Sequence, residues 1–176
     1  SFRFMSEPFV PPAPTVSVVV PTYRHAPFVG AALDSLKAQT FKDFETIIID
    51  DASPDGTADT IQGWLDETGF PATFIRNTSN VGLCRNLNHA LGIARGDLFC
   101  TVAGDDTFDP ERLEAHARWF HGQPEDVVAV YSDARVIDAD GSVTEPSFLR
   151  FFSGNRPHAE DRALFRELII GNFISM

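Results

Sequence analysis

Apolar residues arrive along this chain in short continuous runs, separated by stretches of helical period. VSVVV (16–20) is an unbroken β-branched run, as expected of a strand covered on both faces. Residues 28–39 (FVGAALDSLKAQ) predict a helix with Phe28, Ala31, Ala32, Ser35 and Leu36 on one face. FETIIID (44–50) predicts a second strand, and 57–68 a helix with Ile61, Trp64 and Leu65 along its apolar stripe. ATFIR (72–76) reads as a third, shorter strand. In 80–96 (NVGLCRNLNHALGIARG) a helix is expected, with Leu83, Leu87, Ala90, Leu91 and Ala94 on a shared face and Gly96 as its C-terminal cap. DLFCTV (97–102) predicts strand four, and Asp109-Pro110-Glu111 a helix start, a capping acid followed by Pro in the first turn. VVAVYS (127–132) reads as strand five, 135–143 as a hairpin around Asp140-Gly141, and 159–170 as a last helix. Residues 1–14 carry four prolines in the seven positions PFVPPAP and read as an extended arm or linker.

Strands alternating with helices imply an α/β fold, Rossmann-like, with a mostly parallel central sheet and helices on both faces. Ligands of such sheets bind beyond the carboxyl ends of the strands. Pro21, Thr22 and Tyr23 follow strand one, Asp50 and Asp51 strand two, and Asp105 and Asp106 strand four, so all face one edge. Each group has a bland reading. Asp, Ser, Pro and Gly are ordinary turn residues, so IIIDDASPDGT (47–57) suits a turn and helix cap, and GDD a hydrated turn before Asp109. Arg85 opposes the dipole in the first turn of its helix, so stability does not explain its placement, although an exposed long-stemmed Arg is the commoner case. Convergence on one edge favours the sharper reading. Asp105 and Asp106 offer hard oxygen ligands to Mg2+ or Mn2+, and an ion there would bridge to a diphosphate and offset their repulsion. Asp50 would accept a hydrogen bond from a base or ribose, Tyr23 would lie against a base ring, and Arg85 would meet phosphate oxygens.

Composition narrows the partners. The 176 residues suffice for one sizeable domain, and 43% hydrophobic residues with 16 Phe fit a globular protein. A net charge of -11 argues against a nucleic-acid binder, which needs a basic face, but not against a nucleotide whose charge a metal offsets. Cys84 and Cys100 have no zinc-like or disulfide spacing and read as buried apolar residues in a reducing compartment. No membrane span or signal peptide is visible, so a soluble, cytoplasmic chain is expected, with peripheral attachment at the inner face of the membrane as the alternative. The five histidines show no pairing typical of zinc and read as structural or surface residues.

Three related α/β classes fit less well. A phosphoacceptor receiver needs a lysine after its last strands, and the lysines here are Lys37 and Lys42. A nucleotidyltransferase would want a Gly-rich basic loop where PTYRHAPF stands, and a Rossmann dehydrogenase would need GxGxxG.

The two stretches VSVVVPTYRHAPFVGAALDSLKAQTFKDFETIIIDDASPDGT and NVGLCRNLNHALGIARGDLFCTVAGDDTFDPERL resemble the nucleotide-sugar half of a family 2 glycosyltransferase with the GT-A fold, over about residues 15 to 145. The resemblance implies inverting transfer of a sugar from a nucleotide diphosphate sugar, with UDP as the common nucleotide and Mg2+ or Mn2+ as cofactor. It implies nucleotide contacts at Pro21, Thr22, Tyr23, Asp50, Arg85 and Asp105, and a metal at Asp106 with Asp105. Many members read Asp-x-Asp-Asp where this chain has Ala103-Gly104-Asp105-Asp106, so the leading acid is absent. Members usually carry the catalytic base in an acidic motif beyond a segment like GNFIS, so the base and much of the acceptor pocket are expected beyond Met176, with 15–176 an incomplete domain. Asp133, after strand five, is expected to shape the sugar site or to be an ordinary loop acid. The acceptor (saccharide, lipid-linked or protein) is not specified. A different class of function, a non-catalytic nucleotide-sugar-binding module, shares the same residues.

Overall fold

The computed structural model describes residues 15–121, 123–124 and 127–148. The chain divides into two compact units, Ser1–Val127 and Val128–Met176. The first contains β1 (Val16–Thr22), α1 (Val29–Lys37), β2 (Phe44–Asp50), α2 (Thr57–Thr68), β3 (Thr73–Arg76), α3 (Leu83–Ile93), β4 (Leu98–Thr101) and α4 (Arg112–His121). Its four strands form a parallel sheet in the order β3-β2-β1-β4.

The β-branched run of β1 belongs at the centre of this sheet. Val18 and Val20 pack with Val29, Leu33 and Leu36 of α1, Ile61 of α2 and Leu113 of α4. Val19 points to the other face, against Ile47, Ile49 and Ala90 of α3. Helices therefore cover both faces, and Val18, Val19 and Val20 have no exposed surface. Burying each such side chain stabilises by roughly 1.5–3 kcal/mol.

Helix faces differ from their expected orientation. In α1 the sheet-facing stripe is Val29, Ala32, Leu33 and Leu36, while Phe28 is 38% exposed and Ala31 is also exposed. Val29, Leu33 and Leu36 keep the helical spacing with larger side chains, and burying that volume decides the rotation. In α3 the buried residues are Asn86 and Ala90, whereas Leu83 and Leu91 are exposed. Asn86 Oδ1 accepts a 2.8 Å hydrogen bond from Asn77 Nδ2, which turns the helix so that a polar residue faces inward.

Gly96 is not a helix cap. The cap position of α3 is Ala94, in an extended conformation, and Gly96 instead lies against β1. A Cβ there would stand 2.6 Å from Ser17 N and 2.7 Å from the Val16 carbonyl carbon. Gly96 N also donates to Ser17 Oγ at 2.9 Å, which holds the backbone close to β1. Gly96→Ala is expected to destabilise the protein by about 1–3 kcal/mol, read as a lower urea midpoint with unchanged slope.

Residues 127–132 form no strand. Val128 is 89% exposed and Tyr131 51%, and no ladder partner for them occurs among the described residues. An apolar β-branched run becomes a strand only where a neighbouring backbone and a covering layer meet it. The hairpin is present in the second unit: β5 (Val136–Ile137) pairs antiparallel with β6 (Val143–Glu145), and Gly141 in the connection has φ 87°. The proline-rich arm 1–14, the helix expected at 159–170 and the GNFIS segment lie outside the described residues. Among the described residues no helix is long and apolar enough to cross a membrane.

Candidate functional site

The parallel order places the exits of β2, β1 and β4 side by side. Thr22 pairs with Asp50 in register, and Thr22 Oγ1 lies 3.2 Å from Asp50 Oδ1. The β1–β4 ladder ends at Val19 and Thr101, and Pro21, with no N–H to continue it, accepts from Gly104 N at 3.2 Å. The loops after β1 and β2 are stitched together. Arg24 N donates to Ser53 Oγ (3.0 Å), His25 N to Thr57 Oγ1 (2.9 Å) and Ala26 N to Asp55 Oδ2 (3.2 Å). Among the described residues the non-glycine residues with positive φ are Arg24 (62°) and Ala52 (59°), one in each loop. Strained backbone of this kind concentrates at ligand sites.

The two acid pairs have opposite circumstances. Asp50 is 2% exposed; its carboxylate accepts from Ser53 Oγ (2.5 Å) and Ser53 N (3.0 Å) besides its contact with Thr22. Asp51 is equally buried and accepts from Asn77 Nδ2, Val81 N and Gly82 N, each at 2.9 Å. Burial would raise the Asp51 carboxyl, but the Val81 amide, the Asn77 side chain and the Gly82 amide outweigh it and hold the group below its usual range. Asp51 thus clamps the 77–82 loop, and with it the start of α3, to the end of β2.

Asp105 and Asp106 are exposed, and no hydrogen bond from a protein group reaches either carboxylate among the described residues. Desolvation by its neighbours and then the Asp105 charge raise the Asp106 carboxyl above the usual range, against the opposing pull of His25 and Arg112. The neighbours of the acids therefore come from two elements, the Arg112 guanidinium from α4 and the His25 imidazole from the loop after β1. Arg112 lies over the Phe108 ring at 4.2 Å. His25 Nε2 is 3.8 Å from Asp105 Oδ1.

Tyr23 is 38% exposed, with the Arg24 guanidinium 5.2 Å from its ring centroid. Arg85 is exposed in the first turn of α3. Asp133 belongs to the second unit, where its carboxylate accepts from Ala134 N (2.9 Å) and Ser147 Oγ (2.5 Å). Cys84 is exposed, not buried as expected, whereas burial pushes the Cys100 thiol up to about 11 and leaves it inert. Sequence reasoning missed Asp51 as a clamp and His25 and Arg112 as neighbours of the acids. Only Gly104 carried a signal for His25, because glycine before two acids marks a close backbone approach.

A groove of about 440 Å³ lies at the amino ends of β1 and β2, lined in part by Phe41, Asp43, Glu114 and Arg118. It is away from the edge that the acids share. Among the described residues no three His, Cys, Asp or Glu side chains converge as a metal cage. Two carboxylates nevertheless fit Mg2+ or Mn2+, which commonly take one or two carboxylates and complete their shell with phosphate oxygens and water.

Residues 17–166 match the family model described as Glycosyl transferase family 2. The abequosyltransferase RfbV of Salmonella typhimurium (strain LT2) is 36% identical over 93 residues, covering 52% of this chain and 28% of its own length. The mannosyltransferase PcManGT of Pyrobaculum calidifontis, solved with GDP-Man and Mn2+, is 29% identical with a TM-score of 0.58 over 64% of this chain and 33% of that one. TarS 1-349 of S. aureus, solved with UDP-GlcNAc, shares the fold at 23% identity and a TM-score of 0.57, covering 70% of this chain and 40% of its own. The chain spans about a third of the length of the curated relatives it matches.

Proposed function

The chain belongs to glycosyl transferase family 2, and on that premise we propose that it holds a nucleoside diphosphate sugar at the carboxyl edge of its sheet for transfer to an acceptor hydroxyl. The observation that carries this is the contrast between the acid pairs: Asp51 is filled and Asp50 largely engaged by protein donors, while no protein donor among the described residues reaches the carboxylates of Asp105 and Asp106.

Asp106 and Asp105 would hold Mg2+ or Mn2+, which stabilises negative charge on the diphosphate leaving group. Thr22, Pro21 and Tyr23 would line the nucleoside side, with Tyr23 against the base. The Asp50 carboxylate has an acceptor position left for the base or ribose after its contacts with Thr22 and Ser53. Arg85 would meet the phosphates. Transfer would be a single displacement: the acceptor oxygen bonds to the anomeric carbon as its bond to the diphosphate breaks, inverting the centre. The acceptor proton would pass to a carboxylate base, for which no described residue is assigned. The donor is proposed to be UDP-linked, with a GDP-linked sugar as the second reading because the 29% identical mannosyltransferase was solved with GDP-Man.

Calorimetric titration with UDP and GDP, with and without Mn2+, tests the site. Metal-dependent binding of one nucleotide is expected, and binding indifferent to Mn2+ for both would sink the assignment. Arg85→Ala is expected to weaken nucleotide binding roughly tenfold with an unchanged melting temperature, as for loss of one charge-assisted contact at an exposed position. Transfer and hydrolysis assays on the full-length protein separate an enzyme from a donor-binding module.

A further inference from the structure

His25 is held from several sides. Its amide donates to Thr57 Oγ1, and its carbonyl accepts the amides of Phe28 and Val29, both at 2.9 Å, at the start of α1. Gly104 closes on the imidazole: a Cβ at that residue would stand 2.6 Å from His25 Nδ1 and 3.4 Å from His25 Cβ. Nδ1 is buried without a hydrogen-bond partner, while Nε2 lies 3.8 Å from Asp105 Oδ1. That separation is within ion-pair range but beyond a direct hydrogen bond.

A neutral imidazole carries its hydrogen on one nitrogen and accepts with the other. A hydrogen on Nδ1 would be a buried donor with nothing to receive it, which is costly. On Nε2 it faces the Asp105 carboxylate, so the surroundings select the Nε2–H tautomer. Among the described residues no protein group hydrogen-bonds to that carboxylate, and the His25 Nε2 is the one nitrogen within ion-pair range of it.

Resting on the donor-site reading above, we propose that His25 is a positioning residue of the acid pair, its Nε2–H holding the Asp105 carboxylate in place for the divalent cation that accompanies the diphosphate. Such contacts are often long before a ligand arrives and tighten in the complex. Partners that orient a metal-binding group are worth roughly 10–100-fold in metal affinity. The close approach of Gly104 then has a purpose beyond packing, since it fixes the ring that faces the next residue's side chain.

The test is Mn2+ affinity of the full-length protein, read from the electron paramagnetic resonance of free Mn2+, alone and with UDP or GDP. His25→Phe keeps a ring and removes the donor. His25→Gln brings an amide N–H near the Nε2 position, whereas His25→Asn reaches only as far as Nδ1. Phe and Asn are expected to weaken Mn2+ binding roughly tenfold, Gln to recover most of it, and Phe to add nothing in an Asp105→Asn background. Wild-type affinity in His25→Phe overturns the proposal. If the Phe variant loses its cooperative melt, equal affinity of Gln and Asn overturns it instead. Wild-type protein that binds no Mn2+ removes the donor-site reading and the role of His25 together. Binding by the wild type that every His25 variant matches removes the His25 role alone.

Discussion

Asp106→Asn is expected to abolish Mn2+-dependent nucleotide binding and to lower sugar transfer by at least about 100-fold, while the protein melts at the same or a slightly higher temperature. The loss follows from removing one of two carboxylates available to the ion, a larger change than losing a partner that merely orients a ligand. The gain follows from the sign of the Asp106 shift. Desolvation and the Asp105 charge raise its carboxyl above the usual range in the folded chain. Such a group contributes stability below the unfolded carboxylate value, near about 3.9, and loses it as pH rises through the folded value. At neutral pH the ionised Asp106 works against folding, and the amide relieves it.

Melting curves of both proteins at pH 4 and pH 7 check this, together with titration of nucleotide and Mn2+. The advantage of the Asn variant should be larger at pH 7. A melting point several degrees lower with nucleotide binding intact would return the GDD segment to a hydrated turn. A residue that weakens the fold and is needed for binding has the pattern of a functional site rather than of a structural one.

How far this was legible in the sequence depends on what fixes each feature. β1 and β2 were readable because runs such as VSVVV and FETIIID need only burial on both faces, which a local pattern reports. The shared edge was readable from strand alternation, since parallel strands bring their carboxyl ends together. Helix rotation was not, because it depends on partners distant in the chain. Nothing near Asn86 in the sequence says that it is buried against Asn77. Residues 127–132 have the composition of a strand, but composition does not supply a neighbour. The role of His25 depends on Gly104 arriving from β4, a meeting that exists only after β1 and β4 have paired.

The other acid pair carries the second large expectation. Asp51→Ala should lower stability by about 2–4 kcal/mol, measured by urea denaturation at pH 7, because it strands the amides of Val81 and Gly82 and the side chain of Asn77. Nucleotide affinity should fall as well, since the 77–82 loop that leads into Arg85 loses its anchor. The pH dependence has the opposite sense to that of Asp106. Although burial alone would raise it, the hydrogen bonds hold the Asp51 carboxyl below its usual range. Its contribution is therefore present above the unfolded value, near about 3.9, and is lost as pH falls through the folded one. The gap between wild type and Asp51→Ala should narrow on acidification. Asp51→Asn should lose less than Ala, because its Oδ1 can still accept from Asn77 and Val81 while its amide nitrogen faces the Gly82 N–H. If Asp51→Ala instead kept its full stability and lost only nucleotide binding, Asp51 would be a ligand contact and not a clamp. Identical Asp-Asp dipeptides at strand exits on either side of β1 are thus told apart by their hydrogen bonds: Asp51 holds the chain to itself, whereas no protein donor among the described residues reaches the carboxylates of Asp105 and Asp106.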